Sequence, residues 1–396
     1  MALIKWIKIV MRPNTLKKID DTLGRILLVL LRPLVFVIDA IGKKRRITSA
    51  PEKISFLKIL GGGSLLIAYP AILSIRCRYP QARLVLICAK EVKVYAELTD
   101  LFDEILEIQT GSARQVVVSS AKALLGCFGS DIFVNYELHS KLSAIFTLLS
   151  FSKERYGLYQ DWNRWQERYI NHPVFYNSAT PIYVGYEQIA KKIGAATINW
   201  TDACAHFQTF LEYQNNAVHE DMARVGVAAY CSDLYKERQF SNAEFSQIIH
   251  RHLPSNPVTV VLLGGKNDCS DAAQLKPLIE AFRGDVEVSN LTGQTSLRDV
   301  VTQFQSMTFL VSIDSGLNHI ARLLQLRTIT YWGPSDPGLR LKGLDALRDV
   351  VMYKKLSCAP CVHLIDVPPC KGNNLCMKQF LNGDADAQSN EGWEIS

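Results

Sequence analysis

Residues 309–337, FLVSIDSGLNHIARLLQLRTITYWGPSDP, hold the densest set of groups able to do chemistry. An apolar run ends at Asp314, and Ser315 and Gly316 then open a helical pattern carrying Asn318, His319 and Arg322. Glycine lets a ligand approach the backbone closely. A helix N-terminus offers free N–H groups and a positive dipole end, which attract phosphate. The alternative is an ordinary strand-to-helix turn capped by Ser315. His319 lies one turn inside the helix and faces either ligand or core. Trp332-Gly333-Pro334 and Ser335-Asp336-Pro337 then make a turn at the carboxyl end of the next strand, the edge where open α/β sheets bind ligands.

A second constellation is built of thiols. Of ten cysteines, four crowd into residues 358–376 as Cys358, Cys361, Cys370 and Cys376, a C-x2-C-x8-C-x5-C spacing. Thiolates so spaced can close a tetrahedral site around zinc or iron. Pro360, Pro368, Pro369 and Gly372 make the segment loop-like, so little else would order it. His363 can replace one sulfur. Disulfides and free thiols are the other readings, and a reducing compartment disfavours the first of these.

Elements must position these groups. Apolar runs at 54–60, 82–90, 103–108 and 130–136 read as buried strands. Helical patterns at 64–80, 116–126 and 141–150 separate them, and the alternation implies a parallel, doubly wound sheet. The pattern restarts with strands at 225–230, 259–265, 286–291, 309–314 and 327–333 and helices at 241–252, 271–283, 296–306 and 316–325. Two Rossmann-like domains follow, 51–215 and 216–381, with an acidic tail at 382–396. The glycine run Gly61-Gly62-Gly63 ends in Ser64 and lacks the third glycine of a dinucleotide fingerprint, which disfavours an oxidoreductase.

Residues 1–50 stand apart. The chain has a net charge of +6, yet these fifty residues carry eleven Lys/Arg against three Asp/Glu, and the other 346 carry 33 against 35. A body without basic excess argues against nucleic acid as a partner. Residues 26–41, ILLVLLRPLVFVIDAI, are apolar between basic flanks but are interrupted by Arg32-Pro33 and Asp39. That is short for a spanning helix and suits an interfacial anchor on anionic headgroups. A helix packed on the body or on another subunit is the alternative.

DSGLNH followed by ITYWGPSDP resembles the donor-site signature of the family 9 glycosyltransferases, which include the lipopolysaccharide heptosyltransferases. ISFLKILGGGSLLIAYPAILSIRCRYPQARL (54–84), SDLYKERQFSNAEFSQII (232–249), VVLLGGKND (260–268) and NLTGQTSLRDVV (290–301) resemble further blocks of that family, in the same order. The resemblance implies a GT-B fold of two Rossmann-like domains facing a cleft. It also implies a cytoplasmic enzyme, peripheral to the inner face of the membrane. Such an enzyme transfers a sugar, heptose or another, from a nucleotide-sugar such as ADP-heptose to a glycan or glycolipid acceptor, with inversion. No organic cofactor is expected. No Asp-x-Asp pair stands among these elements, so no catalytic divalent metal is indicated.

Carried over residue by residue, the resemblance places Lys236 and Arg238 near the donor diphosphate. It places Asp268 near ribose hydroxyls, Thr295 in the nucleotide pocket, and Ser315, Gly316 and His319 at the phosphates. Ser296 or Thr295 would cap the following helix. On the acceptor side it points to the loop Gly62-Gly63-Ser64. Here the sequence departs from the family, whose heptosyltransferases carry Gly-Asp at this loop, the Asp being the expected general base. A serine has no basic group at neutral pH. NYELHSK (135–141) ends the neighbouring strand and offers Glu137 as the replacement base, with His139 next. A catalytically degenerate member that binds nucleotide or glycan, or scaffolds a partner, is the rival reading.

Overall fold

The computed structural model describes residues 13–31, 33–35, 37, 50–216, 222–231, 236–362, 365 and 368–381. The basic run 43–46, His363, residues 232–235 and the acidic tail 382–396 therefore lie outside the described residues. The chain divides into two compact units, 1–199 and 200–396. The division falls ahead of the expected 215/216 boundary because helix Trp200–Phe210 packs on the second unit. Trp200 lies under the Arg322 guanidinium, 5.2 Å from its ring centre, and Gln208 donates to the Leu324 carbonyl at 2.8 Å.

The first unit starts with helix α1 (Pro13–Leu30). Strands β1 (Lys53–Leu57), β2 (Arg83–Ala89), β3 (Glu104–Ile108), β4 (Ile132–Asn135), β5 (Glu154–Tyr159) and β6 (His172–Phe175) follow. They alternate with α2 (Gly62–Arg78), α3 (Lys90–Ala96), α4 (Ala113–Cys127) and α5 (Lys141–Leu149), and α6 (Ile182–Lys192) follows β6. The sheet order is β3-β2-β1-β4-β5-β6, with every pairing parallel: Ile54 stands opposite Leu84 on one side and Ile132 on the other. Buried Ile54, Phe56, Leu84, Leu86 and Phe133 explain why these strands read as unbroken apolar runs, as strands covered on both faces do.

The second unit opens with α7 (Trp200–Phe210) and repeats the design. Its strands are β7 (Ala223–Ala228), β8 (Val258–Leu262), β9 (Val286–Asn290), β10 (Phe309–Ile313), β11 (Thr328–Trp332) and β12 (Asp349–Tyr353). Helices α8 (Asn242–His252), α9 (Cys269–Glu280), α10 (Leu297–Phe304) and α11 (Gly316–Leu323) separate them, and α12 (Leu375–Lys378) lies near the end of the described chain. The order β12-β11-β10-β7-β8-β9 is the same arrangement as the first sheet, read from the other edge. In each sheet the order reverses beside the first strand, between β1 and β4 and between β7 and β10. Open sheets bind ligands at such switch points, outside the carboxyl ends of the strands.

Three strands, β5, β6 and β12, are absent from the sequence expectation. Their sequences, ERYGLY, HPVF and DVVMY, are short and polar or aromatic. Pairing with an existing sheet, rather than any pattern of their own, makes them strands.

The described part of the apolar run 26–41 is partly a packed helix. Leu28 of α1 is buried with Ala144, Ile145, Leu148 and Tyr169, and the Tyr169 hydroxyl donates to the Leu28 carbonyl at 2.7 Å. Asp20 supplies a cap to α5: its carboxylate accepts from the Ser140 hydroxyl at 2.7 Å and from the amides of Lys141 and Leu142, each at 2.9 Å. Ile26, Val29, Leu30 and Val37 nevertheless remain exposed. No helix among the described residues is long and apolar enough to cross a membrane.

Removing the Asp20 carboxylate should undock this helix. Asp20→Ala is expected to lower stability by about 1 kcal/mol, the usual scale of a lost helix cap. Comparing urea midpoints of the two full-length proteins checks this.

Candidate active site

The second unit gathers its chemistry where β7 and β10 part. Asp314 follows β10, and Ser315 caps α11, its hydroxyl accepting from the Asn318 amide at 3.4 Å. Gly316 and Leu317 are half-buried, so the first turn of α11 is open to a ligand, whereas Asn318, His319 and Arg322 are buried. Both side-chain polar atoms of Asn318 are buried without a hydrogen-bond partner. Buried polar groups without a partner are uncommon in folded proteins.

Asp314 organises the site. Its carboxylate accepts from the Ser335 hydroxyl at 2.7 Å and lies 3.4 Å from Arg238 Nη1, which also donates to the Asp314 carbonyl at 2.9 Å. Burial pushes this carboxyl up, but Arg238, His319, Ser335 and Arg340 outweigh burial and hold it below the usual carboxylate range. His319 Nε2 is 3.8 Å from the other carboxylate oxygen. Burial depresses the imidazole to about 4, against the pull of Asp314, so it is neutral at pH 7. Arg322 turns away from the site. It makes a two-pronged ion pair with Asp349, at 2.9 and 3.3 Å, that ties α11 to β12.

The sequence expectations around this core divide. Arg238 is drawn inward to Asp314, while Lys236 is exposed. Asp268 accepts from the Gly265 amide at 2.8 Å and so shapes its own turn. Ser296, not Thr295, caps α10, accepting from the Asp299 amide at 3.2 Å. Thr295 and Thr292 instead keep buried hydroxyls with no partner. Asp314 and Ser335 were missed as site residues. Their signal was present in the sequence, since an acid at a strand's carboxyl end and a serine in the following Ser-Asp-Pro turn stand at one sheet edge.

The first unit has its own constellation where β1 and β4 part. Glu137 Oε1 accepts from the Ile59 amide at 2.7 Å, the Leu60 amide at 3.2 Å and buried Lys58 Nζ at 3.3 Å. It clamps the strand-to-glycine loop to its neighbour, work that no sequence pattern announced. Gly61 has φ 85°, a left-handed conformation that suits glycine. At Gly62 a Cβ would meet the Tyr95 ring at 2.1 Å, so α3 packs directly on the start of α2. Gly63 and Ser64 are half-buried in that first turn. His139 is exposed and stacks on Trp162, with centroids 5.2 Å apart and rings 13° from parallel. Buried Asn163 and Gln166 both donate to the Leu138 carbonyl at 2.8 Å, fixing this pair in place.

The four clustered cysteines line one cavity beside Pro334 and Asn374. All ten cysteines are free. Burial, then the neighbouring thiols, raises Cys376 to about 11, and Cys361 moves upward for the same reasons. Among the described residues no three His, Cys, Asp or Glu are placed to hold a metal ion. The segment braces the site: the amides of Cys361 and Val362 donate to the Pro334 carbonyl at 2.9 and 3.0 Å, and Asn374 donates to the Gln239 carbonyl at 3.3 Å.

A sheet order found in both units and a capped helix behind a buried acid define the class, an α/β protein of two parallel, doubly wound sheets. Residues 181–370 match the model of glycosyltransferase family 9 (heptosyltransferase). Over 69 residues the chain is 35% identical to lipopolysaccharide heptosyltransferase 1 of Salmonella typhimurium, which is 17% of this chain and 20% of that protein. The matched stretch thus spans one fifth of that relative. Three solved structures share the fold. A family 9 glycosyltransferase from Veillonella parvula has a TM-score of 0.57 at 12% identity, covering 76% of this chain and 85% of its own. The ADP-heptose lipopolysaccharide heptosyltransferase II of E. coli has 0.56 at 16%, covering 83% and 99%. The E. coli heptosyltransferase WaaC with ADP-2-deoxy-2-fluoro heptose has 0.58 at 16%, covering 76% and 93%. The likeness to family 9 read from the motifs is thereby borne out.

His319 makes the acid response of the second unit predictable. An imidazole depressed from 6.5 to about 4 lets the unfolded chain take up its proton first. Its contribution is therefore intact above pH 6.5 and is lost as pH falls from 6.5 towards 4. His319→Gln should lose less stability than wild type across that window, as measured by urea midpoints at several pH values.

Proposed function

We propose that the chain is a glycosyltransferase that moves a sugar from a nucleoside diphosphate sugar, ADP-heptose or another, to a glycan or glycolipid acceptor. One observation carries the reading: the open first turn of α11 behind a salt-bridged Asp314, with Asn318 buried and unsatisfied beside it. The diphosphate would lie on the Gly316 and Leu317 amides, with Lys236 as an exposed cation and Thr292, Thr295 and Asn318 as the polar groups to be satisfied. Neutral His319 would donate or accept a hydrogen bond without adding charge. Arg238 acts by holding Asp314 and the helix start in place. As the glycosidic bond breaks, charge grows on the leaving diphosphate, and these fixed dipoles stabilise it without reorganising.

The first unit would receive the acceptor. Inverting transfer needs a base to take the acceptor hydroxyl's proton. Glu137 is the weaker candidate because its Oε1 already accepts three hydrogen bonds, one from buried Lys58. The exposed, stacked His139 is the better one. The Ser64 substitution keeps a second reading in play, a binding protein without transfer activity.

We propose further that the four cysteines, which line one cavity although no three of them stand at ligating positions, draw together around one zinc or iron ion. Cys358, Cys361, Cys370 and Cys376 would hold it, and it would supply structural closure of the segment that braces Pro334 and Gln239. The basic amino terminus and the exposed face of α1 support work at the inner face of the cytoplasmic membrane.

Transfer from a panel of nucleotide-sugars tests the whole reading. Gly316→Val should abolish nucleotide binding while the fold survives. His139→Ala should leave nucleotide binding intact and slow transfer by roughly 100-fold, the scale of general-base loss. Wild type that binds nucleotide yet transfers from no donor would favour the binding-protein reading.

Metal analysis tests the cysteines separately. Purified protein is expected to carry about one zinc or iron per chain, and Cys358→Ser to lower both metal content and thermal midpoint, because structural metal binding is folding free energy. Metal-free protein of unchanged midpoint would refute the assignment.

A further inference from the structure

Helix α4 has an outward face that no part of the function described above uses. Its inward side is ordinary: Ser119, Ala123 and Cys127 are buried, and Ala123 and Cys127 join Leu57, Ile108 and Phe133 in the core. On the other side Val117 is 68% exposed and Leu125 76%, with exposed Val118 and Ala121 beside them. Phe128, just past the helix, is 53% exposed. Positions 117, 121, 125 and 128 recur at helical spacing and form one stripe. Singly exposed apolar residues are ordinary, but a contiguous stripe of them marks a contact surface.

The charge beside the stripe has one sign. Arg114 and Lys122 are exposed on the same helix, and residues 113–127 contain no Asp or Glu. The acids of β3, on which α4 packs, are engaged elsewhere: Glu104 with Arg83 at 3.0 Å and Glu107 with Lys93 at 3.3 Å. Among the described residues neither Arg114 nor Lys122 makes an ion pair. The stripe ends beside the core that seats α1. Phe128 packs on Phe151 with centroids 5.3 Å apart, and Phe151 packs on the cluster that Leu28 of α1 helps to form. On α1 the outward residues Ile26, Val29 and Leu30 are exposed beside exposed Arg25.

We infer that α4 is a membrane-docking helix, with Val117, Leu125 and Phe128 entering the acyl boundary and Arg114 and Lys122 resting on anionic lipid headgroups. Apolar side chains flanked only by cations match such a surface. A second copy of the chain fits less well, because a two-fold contact would set Arg114 and Lys122 of one copy against their equivalents. The inference deepens the membrane reading proposed for the amino-terminal segment. It adds that the folded body, and not the basic leader alone, binds lipid and fixes the tilt of the first unit against the bilayer.

Co-sedimentation of the full chain with vesicles tests it, using phosphatidylethanolamine containing a minority of phosphatidylglycerol and, in parallel, pure phosphatidylcholine. Leu125→Ser with Phe128→Ser, and separately Arg114→Glu with Lys122→Glu, should each lower partition onto the anionic vesicles by about tenfold. Binding should also fall as salt rises, and pure phosphatidylcholine should bind less. Ile26→Ser with Leu30→Ser on α1 is the comparison. If that variant loses binding while both α4 variants pellet like wild type, the amino-terminal anchor stands and the α4 inference falls. If only the α4 variants lose binding, the α4 inference stands and the anchor falls. Wild type that ignores anionic vesicles overturns both. A wild-type dimer that the α4 variants dissociate would make the stripe a self-contact and overturn the inference. The charge-reversal pair alters only exposed side chains, so loss of fold cannot stand in for loss of binding.

Discussion

The second unit depends on keeping one buried carboxylate charged. Asp314 sits where β10 ends and α11 begins, out of water, and an isolated carboxylate there would be costly. Arg238, Ser335 and His319 surround it, and each comes from a different stretch of chain. Satisfying that single charge therefore fixes the loop after β7, the turn after β11 and the first turn of α11 with respect to one another. Breaking it by removing Arg238 would leave an uncompensated buried charge, whose cost is about 3–5 kcal/mol in comparable pairs.

The first unit solves the parallel problem with a lighter device. Glu137 draws two backbone amides and Lys58 to one oxygen, and so closes the gap between β1 and β4. In both units an acidic side chain spans the place where the strand order reverses. The backbone there has amides that no neighbouring strand can accept, because the two strands diverge.

Much of this was legible in the sequence, because strands covered on both faces leave unbroken apolar runs and helices between them leave a different period. Nine of the strands announced themselves in that way, whereas β5, β6 and β12 did not, being too mixed in composition to show an apolar run. DSGLNH was legible as a capped strand-to-helix turn because Ser and Gly at a helix start have a direct physical meaning. What the sequence hid was partnership at long range. The resemblance placed Arg238 near the donor diphosphate, and nothing in the sequence showed that it also binds Asp314, seventy-six positions away. Glu137 read as a base because an acid at a strand end suggests one, and its bonds to Ile59 and Leu60 exist only once the sheet is built. Residue type names the chemistry a group can do; the fold decides which of those uses remains open to it.

The bracing segment also has a consequence for the order in which the molecule can be made. The first sheet is complete once residue 175 has been synthesised, and a unit that closes on itself can fold while the rest of the chain is still emerging. The second cannot finish in step with its strands. The turn at Pro334 is held by Cys361 and Val362, and the loop at Gln239 by Asn374, more than a hundred residues downstream. A ribosome stalled after β11 would thus carry the Arg238–Asp314 pair but not the contacts from residues 361–374 that brace those loops. Those loops are fastened only once residues 361–374 have been made, so an incomplete chain has no finished carboxyl edge on its second sheet.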